Sequence, residues 1–96
     1  MNKPQCLDLH IIDRDEWVPF VLCENGMADE FGKYVQADAA YGFSDDLDEL
    51  DLTEEQHAAA MDDINAQMFR AVNDGPKTGT LTFQGIEHPY QVTELA

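Results

Sequence analysis

Positive charge is what this chain lacks most: 96 residues carry 5 Lys and Arg against 20 Asp and Glu, a net charge of −15. Each carboxylate opposes phosphate, so direct binding to DNA, RNA or an anionic membrane is not expected. The excess lies beyond the roughly 2–8 net charges that keep a small domain soluble, so solubility alone does not explain it. Cysteine is also scarce. Cys6 and Cys23 are too few for a disulfide scaffold and lack metal-ligand spacing, which fits free thiols in a reducing cytosol. No run approaches the ~18 apolar residues of a membrane span. The opening "MNKPQCLDLHIIDRDEW" has no small-residue cleavage site, so no signal peptide is expected. There is no Gly-rich phosphate loop and no Ser-His-Asp or Cys-His grouping. These absences argue against an enzyme and against a cofactor.

What remains is globular. The chain is 44% hydrophobic, enough for one domain spanning residues 1–96 with a modest core. "QCLDLHI" and "WVPFVLC" read as a hairpin around "DRDE". Centring the turn on Arg14-Asp15 puts Leu7, Leu9 and Ile11 on one apolar face with Leu22, Phe20 and Val18. Asp8, His10, Ile12, Trp17, Pro19 and Val21 take the other face. That register sets Cys6 opposite Cys23, where a cross-strand disulfide is conceivable, although a reducing cytosol favours two thiols. Pro19 suits an edge strand or a position whose nitrogen faces away from its neighbour.

A second hairpin joins "TGTLTFQ" to "EHPYQVTEL" through Gly85-Ile86, read as a type II′ turn. It sets Leu81, Phe83, His88, Tyr90 and Val92 on the core face, and Thr80, Thr82, Gln84, Glu87, Gln91 and Thr93 on the wet one. Between the hairpins, Thr53 with Gln56 forms a capping box ahead of a long helix. His57, Met61, Ile64, Met68 and Ala71 make its buried stripe, and Asn73-Asp74-Gly75-Pro76 ends it. A second helix is expected within residues 27–42, with Phe31, Tyr34, Val35 and Ala39 inward. The expected fold is α+β in the order ββααββ: an antiparallel sheet of two hairpins with two helices packed on one face.

The chemistry-bearing candidates are then few. His10, His57 and His88 are dispersed and read as structural. The acidic run fails as an EF-hand loop, because counting from Asp46 puts Asp51 where the turn needs Gly. "FSDDLDELDLTEEQ", residues 43–56, nevertheless holds seven carboxylates between Asp45 and Glu55 with no Lys, Arg or His among them. If extended, alternate residues would fall ~6.6 Å apart on one side, giving rows such as Asp46 with Asp48 and Glu49 with Asp51. Glu55 and Asp62, two helical turns apart, would continue the pattern. The candidate partner-binding face is therefore Asp45, Asp46, Asp48, Glu49, Asp51, Glu54, Glu55 and Asp62. Trp17 and Phe69 fall off the apolar stripes; each either packs under a neighbouring element or serves as an exposed anchor.

In size, acidity and the stretch "SDDLDELDLTEE", the chain resembles the DNA-mimic inhibitors of phages and mobile elements, including anti-CRISPR and anti-restriction proteins. The resemblance implies a stoichiometric, non-enzymatic inhibitor of a basic nucleic-acid-binding partner, such as a CRISPR surveillance complex or nuclease, in the cytoplasm of a bacterial host. It transfers no residue roles. Two other readings stay open: an acidic adaptor or antitoxin-like module that binds one basic protein without imitating DNA, and an acidic surface suited to high salt.

Overall fold

The computed structural model describes residues 5–24, 32–36 and 39–95. Its elements are β1 (Cys6–Ile11), β2 (Glu16–Leu22), β3 (Tyr34–Val35), α1 (Ser44–Asp48), α2 (Glu54–Asn73), β4 (Thr78–Phe83) and β5 (Ile86–Leu95), with 3-10 turns at Ile12–Arg14 and Ala39–Phe43. The strands form one antiparallel sheet of order β3-β2-β1-β5-β4. The α+β class and the two hairpins hold; the ββααββ order does not. Tyr34 and Val35, expected on a helix, pair instead with Leu22 and Val21 as a third strand. Ala39 lies in the 3-10 turn, while Phe31 falls outside the described residues.

Both hairpins keep the expected faces with the register moved by two residues. Leu7 pairs with Phe20, Leu9 with Val18 and Ile11 with Glu16. The cause is the loop: Ile12 leaves the strand, and Asp15 closes a four-residue turn in the left-handed region, φ 51°, a conformation that Asp tolerates better than most residues. Cys6 therefore faces Val21, not Cys23, and no disulfide joins the two. In the second hairpin Phe83 pairs with Ile86, so the turn is Gln84-Gly85. Both carry positive φ, 52° and 77°, which is type I′ and not type II′. A two-residue shift preserves the side-chain alternation, so the buried set survives the correction.

One sheet face is thus apolar. Leu7, Leu9, Ile11, Phe20, Leu81, Phe83, Tyr90 and Val92 are buried there together with His88. Helix α2 covers it with Ile64, Met68, Ala71 and Val72, and Met61 packs alongside. The helix starts on the expected box, with the Thr53 hydroxyl accepting from Gln56 N–H at 3.1 Å and Gln56 Oε1 accepting from Thr53 N–H at 3.0 Å. At Gly79 a Cβ would come within 2.8 Å of the Tyr90 hydroxyl, so only glycine leaves room for that buried ring. Pro19 turns its carbonyl away from β1 to accept from Gln36 Nε2 at 2.7 Å. Its ring nitrogen shares that direction, so no bond to β1 is lost.

Candidate functional site

The acidic run is not one extended strand: it is helical over Ser44–Asp48 and again from Glu54, with a turn and a short irregular link at 49–53 between them. Phe43 and Leu47 lie four apart and are fully buried, while Leu52 is half-buried against the same core. They fix the remaining side chains outward, and Asp45, Asp48, Glu49 and Asp51 are exposed. The ~6.6 Å rows of an extended chain are absent. In the helical geometry Asp45 neighbours Asp48 and Glu49, with Cβ atoms about 5–6 Å apart. Glu54 and Glu55 follow in the first turn of α2, where the helix dipole favours negative charge. Asp62, exposed, lies ~10.5 Å farther along the helix on the side of Glu55.

Asp46 differs from the other seven. It is half-buried, and both its oxygens accept from Arg14, at 2.8 and 3.2 Å. Arg14 also donates to Glu16 at 2.9 Å and to the Gly42 carbonyl at 2.8 Å, and its guanidinium lies 4.4 Å from the Phe43 ring centroid. The Arg14 hydrogen bonds hold the Asp46 carboxyl below its ordinary value against the opposing effect of burial. The same bond raises the Arg14 guanidinium. Asp46 thus fastens α1 to the β1–β2 loop. Beside it, His88 Nδ1, buried and edge-on to Phe43, lies 2.7 Å from Asp13.

Among the described residues the other acidic positions have weaker partners or none. Asp48 lies 3.5 Å from His57 Nε2. Asp45, Glu49, Asp51, Glu54, Glu55 and Asp62 make no ion pair or side-chain hydrogen bond with any described residue. Of the described cations, Arg14 is held as above, Lys77 lies by Glu94, and Lys33 and Arg70 belong to the segment before β3 and the last turn of α2. The acidic end holds no uncommitted cation among the described residues.

The two aromatic candidates separate. Phe69 is half-buried, with Lys33 Nζ 5.7 Å from its ring centroid. Trp17 is 54% exposed on the sheet face opposite α2 and stacks on His10 at 3.8 Å. It shares a groove with Tyr41, which is 77% exposed and which the sequence reading passed over. The signal was present: in "AAYGF" a short turn can bury only one ring, and Phe43 takes that place. Arg14 was missed for another reason, since its partner lies 32 residues away and no spacing rule reaches it.

No group of three or more His, Cys, Asp and Glu side chains among the described residues could hold a metal ion. No helix among the described residues is long and apolar enough to cross a membrane. No family model, no curated protein and no solved structure matches this chain.

Proposed function

We propose that this protein is a non-enzymatic acidic inhibitor that imitates nucleic-acid phosphates and occupies the basic groove of a nucleic-acid-binding protein or ribonucleoprotein, such as a CRISPR surveillance complex or nuclease, in a bacterial cytoplasm. One observation carries the reading: exposed carboxylates, of which only Asp48 lies beside a basic group among the described residues, run from Asp45 to Asp62 on a support anchored by Phe43, Leu47 and the Arg14–Asp46 bond. Charges held in place by buried anchors meet a Lys/Arg channel with little ordering cost on this side. Complementary fields speed the encounter, and release of ions gathered on the negative surface adds to affinity. Two helices take the place of the extended rows expected from the sequence, with Asp46 as a support and not a contact.

A second reading, an acidic adaptor or antitoxin-like module, draws support from the exposed Trp17 and Tyr41 on the β2 side. Competition separates the two. Immobilised protein is used to capture partners from its native cell lysate, with and without nuclease treatment. Imitation predicts that nuclease treatment increases capture and that preloading the captured partner with its nucleic acid abolishes binding. Simultaneous binding of both to one subunit would leave only the adaptor.

A further inference from the structure

Main-chain groups along β4 alternate in direction. Val92 N–H donates to the Lys77 carbonyl at 2.7 Å, so Lys77 and every second residue after it face β5. Thr78, Thr80 and Thr82 therefore turn their N–H and carbonyl away from β5. Gln67 on α2 closes Thr82, donating to its carbonyl at 2.7 Å and accepting from its N–H at 2.9 Å. No described residue does the same for Thr80.

Between this edge and the last turns of α2 lies a groove of about 360 Å³, lined by Arg70, Ala71, Asp74, Thr80, Leu81 and Tyr90 among others. Both ends are stopped. The Gln67 side chain stands at one, on Thr82, and Gly75 opens the short connection from α2 into β4 at the other. Thr78 to Thr82 spans ~13 Å, so the groove takes a short molecule and not a strand running through it. Its floor is apolar, from Ala71, Leu81 and Tyr90, all buried. Its rim is polar. Arg70 and Asp74, four apart on one side of α2, are exposed. Their side chains make no ion pair or hydrogen bond with each other or with any described residue. A cation, a main-chain donor, a main-chain acceptor and a carboxylate thus meet at one groove without partners, a set that matches the two charged ends of an amino acid. We propose that this groove binds a free α-amino acid with an aliphatic side chain. Its carboxylate accepts from Arg70 and from Thr80 N–H, its ammonium donates to the Thr80 carbonyl and to Asp74, and its side chain lies on Ala71 and Leu81. An anion or a cation alone would leave Asp74 or Arg70 without a counterpart. The site is separate from the acidic ridge, since Asp62 lies ~12 Å along α2 from Arg70, and the inference does not depend on imitation of nucleic acid.

The test is a titration of the full-length, ¹⁵N-labelled protein with L-leucine, L-leucinamide and N-acetyl-L-leucine; the second lacks the carboxylate and the third the ammonium. Leucine should shift the amides of Ala71, Gly75, Thr80 and Leu81, and each analogue should bind ~10-fold more weakly. Arg70→Gln and Asp74→Asn, both at exposed side chains, separate the two ends of the ligand. Arg70→Gln should bind leucine and leucinamide alike, and Asp74→Asn should bind leucine and N-acetyl-leucine alike, each ~10-fold more weakly than the parent binds leucine. A merely structural role would weaken all three ligands together and leave both preferences intact. That result, equal affinity of the parent for all three ligands, shifts centred on α1, or no shift at Thr80 in tens of millimolar leucine would overturn the proposal. Each of those results leaves competition with nucleic acid at the acidic end to be judged separately.

Discussion

Carboxylates on the loop between β1 and β2 lie beside basic groups, whereas those on α1 and the start of α2 mostly do not. Asp13 meets His88, Asp15 meets His10, Glu16 meets Arg14 and Glu94 meets Lys77. Between Asp45 and Asp62 only Asp46 and Asp48 lie beside a basic group among the described residues. The chain therefore can neutralise its acids and does so around the β1–β2 loop, although Asp8, Asp74 and Glu87 also lack a basic partner among the described residues. Like charges at helical i, i+4 spacing cost about 0.2–0.5 kcal/mol per pair, and Asp48 and Glu49 also sit at the unfavourable end of α1. A cost concentrated on one anchored surface points to a use outside the molecule.

The largest expected effect breaks the anchor beneath that surface. Leu47→Ala should lower unfolding free energy by about 2–5 kcal/mol, read from urea midpoints, because Leu47 is 1% exposed in the core. Next, Arg14→Ala should cost about 1–3 kcal/mol by removing charge-assisted hydrogen bonds to Asp46 and Glu16, and should move Asp46 from the matched group to the unmatched one. A loss below the scatter of the measurement would mean that the pair does not fasten α1.

Acid sharpens the same contrast. The hydrogen bonds from Arg14 hold the Asp46 carboxyl below its ordinary value. The contribution is therefore complete above the unfolded value and disappears as pH falls through the lower folded one. The stability gap between the parent and Arg14→Ala should hold at neutral pH and narrow below about pH 4. A gap independent of pH down to about 2 would assign the loss to packing on Phe43 instead.

Smaller effects test the unmatched side. The neutral Asp48→Asn, Glu49→Gln, Asp51→Asn variant should gain about 0.5–1 kcal/mol at low salt, and the gain should vanish in molar salt. Smallest is Gln84→Asn, expected to add about 0.5 kcal/mol by suiting the left-handed first position of the type I′ turn. It lies outside both groups and serves as the control that salt should not alter.

The division between what was legible and what was not follows range. Side-chain alternation revealed both hairpin faces, and the Thr53–Gln56 box with the Ile64–Met68–Ala71 stripe revealed α2, because each signal lies within a few residues. The registers required the backbone at Asp15 and Gln84, where positive φ decides and composition says little. Strand β3 is too short to show a period. Helix α1 was hidden by its acidity, although Phe43 and Leu47 carried the i, i+4 signal. Which carboxylate stays unmatched depends on Arg14, whose bonds span the chain.

The most direct measurement of the central claim is binding of the captured partner by Asp48→Lys, Glu49→Lys, Asp51→Lys protein, alongside the parent, at low and high salt. If an anchored negative ridge fills a positive groove, the parent binds, weakens steeply as salt rises and is displaced by nucleic acid, while the reversed variant stays folded and does not bind. Undiminished binding by the reversed variant would contradict it.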